Sequence, residues 1–320
     1  MALKPIQTST GDAIADRRFA YGASAFADGD WQAAADLAGQ TIELVPGFAP
    51  AHALLGRALA AIGRNEAAIA ALSEAVSLDA DDALGVRIDL AKLGATTADD
   101  AIRPGYIKAL FDAYADQFDG HLVGTLRYRG PEVLVDAITR ACSTLGRQPG
   151  FKLALDLGCG TGLVAKALGP NVRRIEGVDL SPNMVAVAAR TGLYAALHVS
   201  DAVAELDRRA SGSIDLIVAA DTVVYMGDLF PLARAAARVL SKGGLLAFTV
   251  QSQHRPGHHG EVYQAPGYVL GVDARYAHSD GYLRTVADDS GLAVALFETV
   301  STRQDRGIDV PGYAVVWTPR

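Results

Sequence analysis

The feature that most constrains the fold is LALDLGCGTGLVAKAL at residues 153–168, an apolar segment ending in Asp156, then three alternating glycines, then a helical pattern. A strand that passes through a glycine turn into a helix is the opening unit of an open parallel sheet. Downstream, RIEGVD, AALHVS, IDLIVAA and LLAFTV alternate with helical stretches, and each ends near a turn signal. That rhythm predicts an α/β, Rossmann-like sheet with helices on both faces. Two more strands, VALFETV (294–300) and GYAVVWT (312–318), are too close in sequence for a parallel crossover and should pair as an antiparallel hairpin. The expected sheet has seven strands, five parallel plus that hairpin.

The first part of the chain reads differently. Shifted on itself by 34 residues it places Gly22 over Gly56, Gly29 over Gly63, and Ala34 over Ala68. A period of this length marks stacked helix pairs, with small residues allowing close approach and Trp31, Leu37, Leu44, Leu55, Leu59 and Leu72 as the expected buried face. An amphipathic stretch from Ala83 to Leu93 is expected to cover the last open face. The all-α region is expected over residues 1–95, a linker over 96–104 (around GATTADDAIRPG), and the sheet domain over 105–320.

Composition narrows the setting. The 320-residue chain is half hydrophobic yet has no 18-residue apolar run, and its N-terminus lacks the apolar core of a signal peptide, so a cytoplasmic protein without a membrane association is expected. Cys142 and Cys159 form neither a disulfide framework nor a zinc pattern. A net charge of −7 with scattered Lys and Arg counts against nucleic acid as the main partner.

The glycine loop departs from the dinucleotide fingerprint, because Leu163 stands where its third glycine would fall. Asp156 at the strand's end would repel a diphosphate but suit an ammonium group. S-adenosylmethionine carries an ammonium, and its carboxylate suits backbone N–H groups at the following helix start. Asp179 ends the second strand, placed to accept from ribose hydroxyls, and Asp201 ends the third, placed to accept from an adenine amino group.

With these residues in place, LDLGCGTG, GVDLSPNM, SDA and DLIVAADTVVYMGDL resemble the successive motifs of class I S-adenosylmethionine-dependent methyltransferases, over roughly residues 105–320. The helix pairs, with GDWQAAADLAGQTIELVP and GRNEAAIAALSEAVSLDA, resemble tetratricopeptide repeats, and the combination is similar to a bacterial group of predicted repeat-bearing methyltransferases. The resemblance implies a cofactor site made by Tyr114, Asp156, Gly158, Cys159, Gly160, Thr161, Gly162, Asp179, Leu180, Met184, Asp201, Ala202 and Asp221, with the helix carrying Tyr114 and Phe118 as a lid and Tyr128 or Arg129 assisting.

The methyl acceptor is open. Tyr225 either presents its hydroxyl to the pocket or packs in the core, and Asp221 either serves the site or caps a helix. The stretch 251–283 is rich in tyrosine and holds four of the seven histidines, His254, His258, His259 and His278. A general base is expected from this group, with Tyr225, His254 and His278 as catalytic candidates, whereas unfixed spacing and the intervening Arg255 argue against a metal site. Tyr225, His258, His259, Tyr263, Arg275 and Tyr276 are the candidates for contact with the acceptor, and Arg275, Tyr276 and His278 either bind an acidic or phenolic molecule or anchor the loop. The leading expectation is transfer to oxygen or nitrogen of a small molecule, in a pocket closed by the lid helix and the His/Tyr-rich loop. The alternatives are a protein methyltransferase whose repeats recruit a partner chain, and a non-catalytic cofactor sensor. Self-association through the repeats is equally open. The absence of NPPY or DPPY after the fourth strand, where ADTV stands, counts against DNA.

Overall fold

The computed structural model describes residues 8–115, 118, 128–253, 261–265, 267–305 and 307–320. Two compact units result, Met1–Ala109 and Leu110–Arg320.

In the first unit, α1 (Ala13–Ala27), α2 (Trp31–Leu44), α3 (Ala49–Ala61), α4 (Asn65–Leu78) and α5 (Val86–Lys92) pack each on the next. Asp12 and Asp30 cap α1 and α2 through their carboxylates. The repeated glycines divide their work. Gly29 and Gly63 adopt positive φ in the turns, while a side chain at Gly56 would lie 2.5 Å from Leu72 Cγ. The expected buried face is found in part: Leu59 and Leu72 are buried and Leu37 and Leu55 half-buried, but Trp31 and Leu44 are 42 % and 43 % exposed, and Ala34, Ala38, Ala58, Ala68 and Ala75 are fully enclosed. Helices that approach this closely bury methyl groups and leave bulky side chains at the margin. As expected, α5 closes the stack, its Val86 and Leu90 packing on Ala53, Leu72 and Ala75.

A sixth helix, α6 (Pro104–Tyr114), carries the chain onward. The second unit continues with α7 (Gly130–Thr144), β1 (Ala154–Leu157), α8 (Leu163–Leu168), β2 (Ile175–Asp179), α9 (Pro182–Arg190), β3 (Ala196–Val199), α10 (Ala202–Arg208), β4 (Ile214–Ala219), α11 (Phe230–Val239) and β5 (Leu240–Ser252). Then come β6 (Glu261–Ala265), β7 (Tyr268–Gly271), β8 (Tyr276–His278), α12 (Asp280–Asp289), β9 (Leu292–Asp305) and β10 (Ile308–Pro319). The sheet runs β3-β2-β1-β4-β5, all parallel, and continues through the antiparallel pair β10 and β9. Alternate residues face opposite layers, so Leu155, Ile217 and Phe248 join one core while Ala154, Leu216, Val218 and Ala247 join the other. These are the seven strands read from the sequence.

Three more strands occupy part of the stretch read as a loop. β6, β7 and β8 form a meander whose last strand pairs parallel with Gln251 and Ser252 of β5. Because β10 already pairs with Gln251 on one edge, β8 takes the other, past the end of β4 at Ala219 opposite Phe248. Runs of three to five residues broken by turns are too short for a period of two to register. Among the described residues, no helix is long and apolar enough to cross a membrane.

Candidate active site

The carboxyl ends of β1, β2 and β4 bring together the acids read from the sequence. Asp156 is fully buried; Tyr194 Oη donates to its Oδ2 at 2.7 Å, and Oδ1 has no partner among the described residues. Burial pushes this carboxyl up to about 7, with the Tyr194 hydrogen bond opposing and Asp179 adding to the rise. Gly158, Gly160 and Gly162 all have positive φ, and a side chain on Gly158 would lie 2.3 Å from Thr222 Oγ1. The N–H groups of Gly158 and Cys159 bond the Val178 carbonyl, that of Gly160 bonds Asp179 Oδ2 at 2.9 Å, and that of Gly162 returns to Cys159. The loop is therefore held to β2 by its own amides, and what it offers a ligand is a bare backbone surface. Asp179 also accepts from Ser181 N at 2.8 Å. Cys159 is buried, and burial with the two neighbouring acids pushes its thiol far up, which keeps it protonated.

Thr161 and Met184 are buried and Leu180 is half-buried around the same turn, while Asp201 caps α10 through Ala204 N with Ala202 buried beside it. Helix α6 reaches this region through its last turns: Asp112 Oδ1 accepts from Ser181 Oγ at 2.6 Å, and the Asp112 carbonyl accepts from Asn183 Nδ2. Phe118 packs edge-on against Tyr114, and its Cε1 lies 3.8 Å from where a side chain at Gly160 would begin.

A second cluster adjoins the first through Thr222, whose hydroxyl donates to the Leu157 carbonyl at the end of β1. Asp221, in the left-handed region at φ 51°, is no helix cap. Its N–H donates to Thr249 Oγ1, which donates back to its carboxylate, and Thr302 Oγ1 adds a bond at 3.1 Å. Around it stand Arg275, Arg303, Asp273 and Tyr128. Burial and the carboxylates of Asp221 and Asp156 hold the Tyr128 phenol protonated. Burial acts to lower Arg275, but Tyr225 and Asp221 outweigh it and raise the guanidinium. Arg275 lies 5.7 Å from the Tyr225 ring centroid, and Phe111 meets the same ring edge-on. Tyr225 thus belongs to the aromatic and charged cluster at the strand ends, on a 3-10 turn formed by Val223–Tyr225.

Two candidates fall elsewhere. Tyr276 is 1 % exposed and packs against Tyr268, and His278 is fully buried, with Nε2 on the Gly227 carbonyl and its ring stacked on Tyr282. Burial lowers His278 to about 4, so the imidazole is neutral at physiological pH and enclosed, unlike an accessible base. Both sit on β8, and the sheet pairing that the sequence concealed is what encloses them. His254, His258 and His259, and the side chain of Tyr263, lie outside the described residues. Tyr194, Thr249, Thr302, Asp273 and Arg303 belong to the site without having been singled out by any motif.

Residues 155–248 match the family model described as methyltransferase domain, and residues 25–88 match that described as tetratricopeptide repeat. The chain therefore carries a methyltransferase domain together with tetratricopeptide repeats. It is 34 % identical to human methyltransferase-like protein 27 over 143 residues, covering 44 % of this chain and 56 % of that one. It is 32 % identical to a ubiquinone biosynthesis O-methyltransferase of Xanthomonas oryzae pv. oryzae over 95 residues, covering 29 % of this chain and 40 % of that one. The chain thus spans about half the length of these relatives or less. A solved S-adenosylmethionine-dependent methyltransferase of Leishmania major shares the fold at a TM-score of 0.51 and 16 % identity, over 67 % of this chain and 82 % of that one.

Proposed function

We propose that this chain transfers the methyl group of S-adenosylmethionine to an oxygen or nitrogen of a small-molecule acceptor. The observation that carries the reading is Asp156, a fully buried carboxylate with an unpartnered oxygen, set beside a glycine backbone too crowded by Thr222 for any side chain. An unpaired buried acceptor calls for a donor, and an ammonium supplies one with charge. Asp179 accepts one N–H on each carboxylate oxygen and retains lone pairs for a ribose. The cofactor supplies an electrophilic methyl on a sulfonium sulfur.

The chain's own residues then position and enclose. Phe118, against Gly160, and Tyr114 cover the loop as a lid, and Asp112 ties the helix that ends at Tyr114 to the β2 turn. Tyr225, held between Phe111 and Arg275, faces the acceptor. Positioning of this kind accounts for most of what an in-line displacement requires. The repeats, through residues 1–95, serve self-association or hold a partner outside the chemical step.

Incubation with methyl-labelled S-adenosylmethionine and an extract of the producing organism, followed by separation by size, tests the proposal. Label in the small fraction is the expected result. Label confined to macromolecules overturns the small acceptor in favour of a protein substrate recruited by the repeats, and no label alongside tight cofactor binding overturns the enzyme itself.

A further inference from the structure

Arg303 stands on β9 beside two carboxylates and hydrogen-bonds neither. Its nitrogens lie 4.0 Å from Asp221 Oδ2 and 3.7 Å from Asp273 Oδ2, beyond hydrogen-bond reach, and the residue is only 7 % exposed. The reason is visible at Asp221, whose oxygens are taken by Thr249 and Thr302. A guanidinium carries five N–H donors, and neither carboxylate takes one from Arg303. The cluster thus sets opposite charges side by side without a direct hydrogen bond from this arginine to either acid.

The same residue borders a cavity of about 460 Å³ that Arg129, Ser301, Gln304 and Asp309 also line. That volume suits a small molecule. Asp309, the one acid among the described residues of that lining, already accepts from Gln304 Nε2 at 3.0 Å. The cluster also lies next to the chemistry, because Asp221 and Thr222 are consecutive and Thr222 abuts the glycine loop.

We propose that this cavity receives the carboxylate of a monoanionic methyl acceptor, with Arg303 as its planar, two-pronged partner. The proposal rests on the methyl-transfer reading and names the substrate class for it. A guanidinium fork matches a carboxylate in plane and spacing. Among the described residues Asp221, Asp273 and Asp309 already offset Arg129, Arg275 and Arg303, which disfavours a second negative charge. The carboxylate is an anchor and is not itself methylated: another oxygen or nitrogen of the acceptor forms the bond to the methyl carbon, the sulfur–carbon bond breaks, and the acceptor's proton passes to water. The product keeps its negative charge.

The test joins a charge readout to a binding readout. Labelled small products from the extract are passed over an anion exchanger at neutral pH, and S-adenosylhomocysteine affinity is measured by calorimetry for wild type, Arg303→Met, Arg303→Lys and Arg129→Gln. The expected result is a retained, anionic product whose formation falls about tenfold or more in Arg303→Met and less in Arg303→Lys, with S-adenosylhomocysteine affinity within about twofold of wild type. If Arg303→Met fails to fold, Arg303→Lys and the exposed Arg129→Gln carry the comparison. Neutral or cationic products, wild-type turnover in these variants, or an unlabelled small fraction from a protein that binds S-adenosylhomocysteine would each overturn the anchor. A wild-type protein that does not bind S-adenosylhomocysteine overturns the methyl-transfer reading first, and the two failures are thereby told apart.

Discussion

The Tyr194 phenol donates a 2.7 Å hydrogen bond to Asp156 Oδ2, and the carboxylate's other oxygen has no donor. Among the described residues, Tyr194 is thus the one side chain that hydrogen-bonds this acid, favouring its ionised form against burial. Tyr194→Phe removes that bond and drives Asp156 further toward the neutral acid. A hydrogen bond to a buried charge is worth roughly 1.5–3 kcal/mol, so S-adenosylhomocysteine affinity at neutral pH should fall about tenfold or more. Calorimetric titration decides it, and an unchanged affinity removes Tyr194 from the site.

The same acid sets a pH dependence whose sign is the reverse of an ordinary salt-bridged aspartate. Asp156 titrates near 3.8 when exposed and is raised to about 7 in the fold. Between those values the folded chain keeps a proton that the unfolded chain has lost, so this group's contribution to stability declines as pH rises through the window and levels off above it. Asp156→Asn should therefore raise the melting temperature of the ligand-free protein at pH 8 by roughly several degrees, and by less at pH 5. Cofactor binding in the wild type should strengthen as pH rises through about 7, because only the ionised acid pairs with an ammonium. Melting curves for the variant and calorimetry for the wild type, each at both pH values, check the two signs.

Two neighbouring glycines should respond differently to alanine. At Gly158, φ is 68° and the new methyl would collide with Thr222, which itself holds the Leu157 carbonyl. At Gly160, φ is 51° but the nearest atom is Phe118 Cε1 at 3.8 Å. Gly158→Ala should lower stability and binding together. Gly160→Ala should cost only about 1–2 kcal/mol of backbone strain while crowding the surface offered to the cofactor. Thermal melts beside S-adenosylhomocysteine titrations separate the two, and equal loss of stability in both would contradict the geometry.

Much of this was legible because the relevant signals are local. Alternating glycines after an apolar run, and acids at successive strand ends, place Asp156, Asp179 and Asp221 together without any long-range information. Tyr194 and Arg303 carry no such spacing, since their partners are 38 and 82 residues away, at Asp156 and Asp221. One trace of Tyr194 did exist. Gly177 stands in the middle of β2, and the structure shows that a side chain there would meet Tyr194 at 2.8 Å and Cys159 Sγ at 3.0 Å. Glycine within a strand marks a close approach, but the sequence does not say of what. The meander β6–β8 was hidden for a different reason: its strands are short, and their pairing with the end of β5 depends on β4 stopping first.

The repeat glycines give the last test, in the first unit alone. Gly39 lies inside α2 with nothing within 4 Å of a new methyl, so Gly39→Ala should stabilise by about 0.5–1 kcal/mol through helix propensity. Gly56 lies inside α3, where the same gain is opposed by a methyl 2.5 Å from Leu72 Cγ and 3.1 Å from the Ala68 carbonyl. Leu72 is fully enclosed and cannot swing aside, and overpacking of this kind costs about 1–3 kcal/mol. Gly56→Ala should therefore come out destabilising by about 1–2 kcal/mol once propensity is set against the clash. Hydrogen exchange of amides in α2 to α4 reads both effects without reference to the methyltransferase domain: protection rises in the first variant and falls in the second. Protection that rises in both would mean that α3 and α4 pack less tightly than the Gly56–Leu72 contact requires.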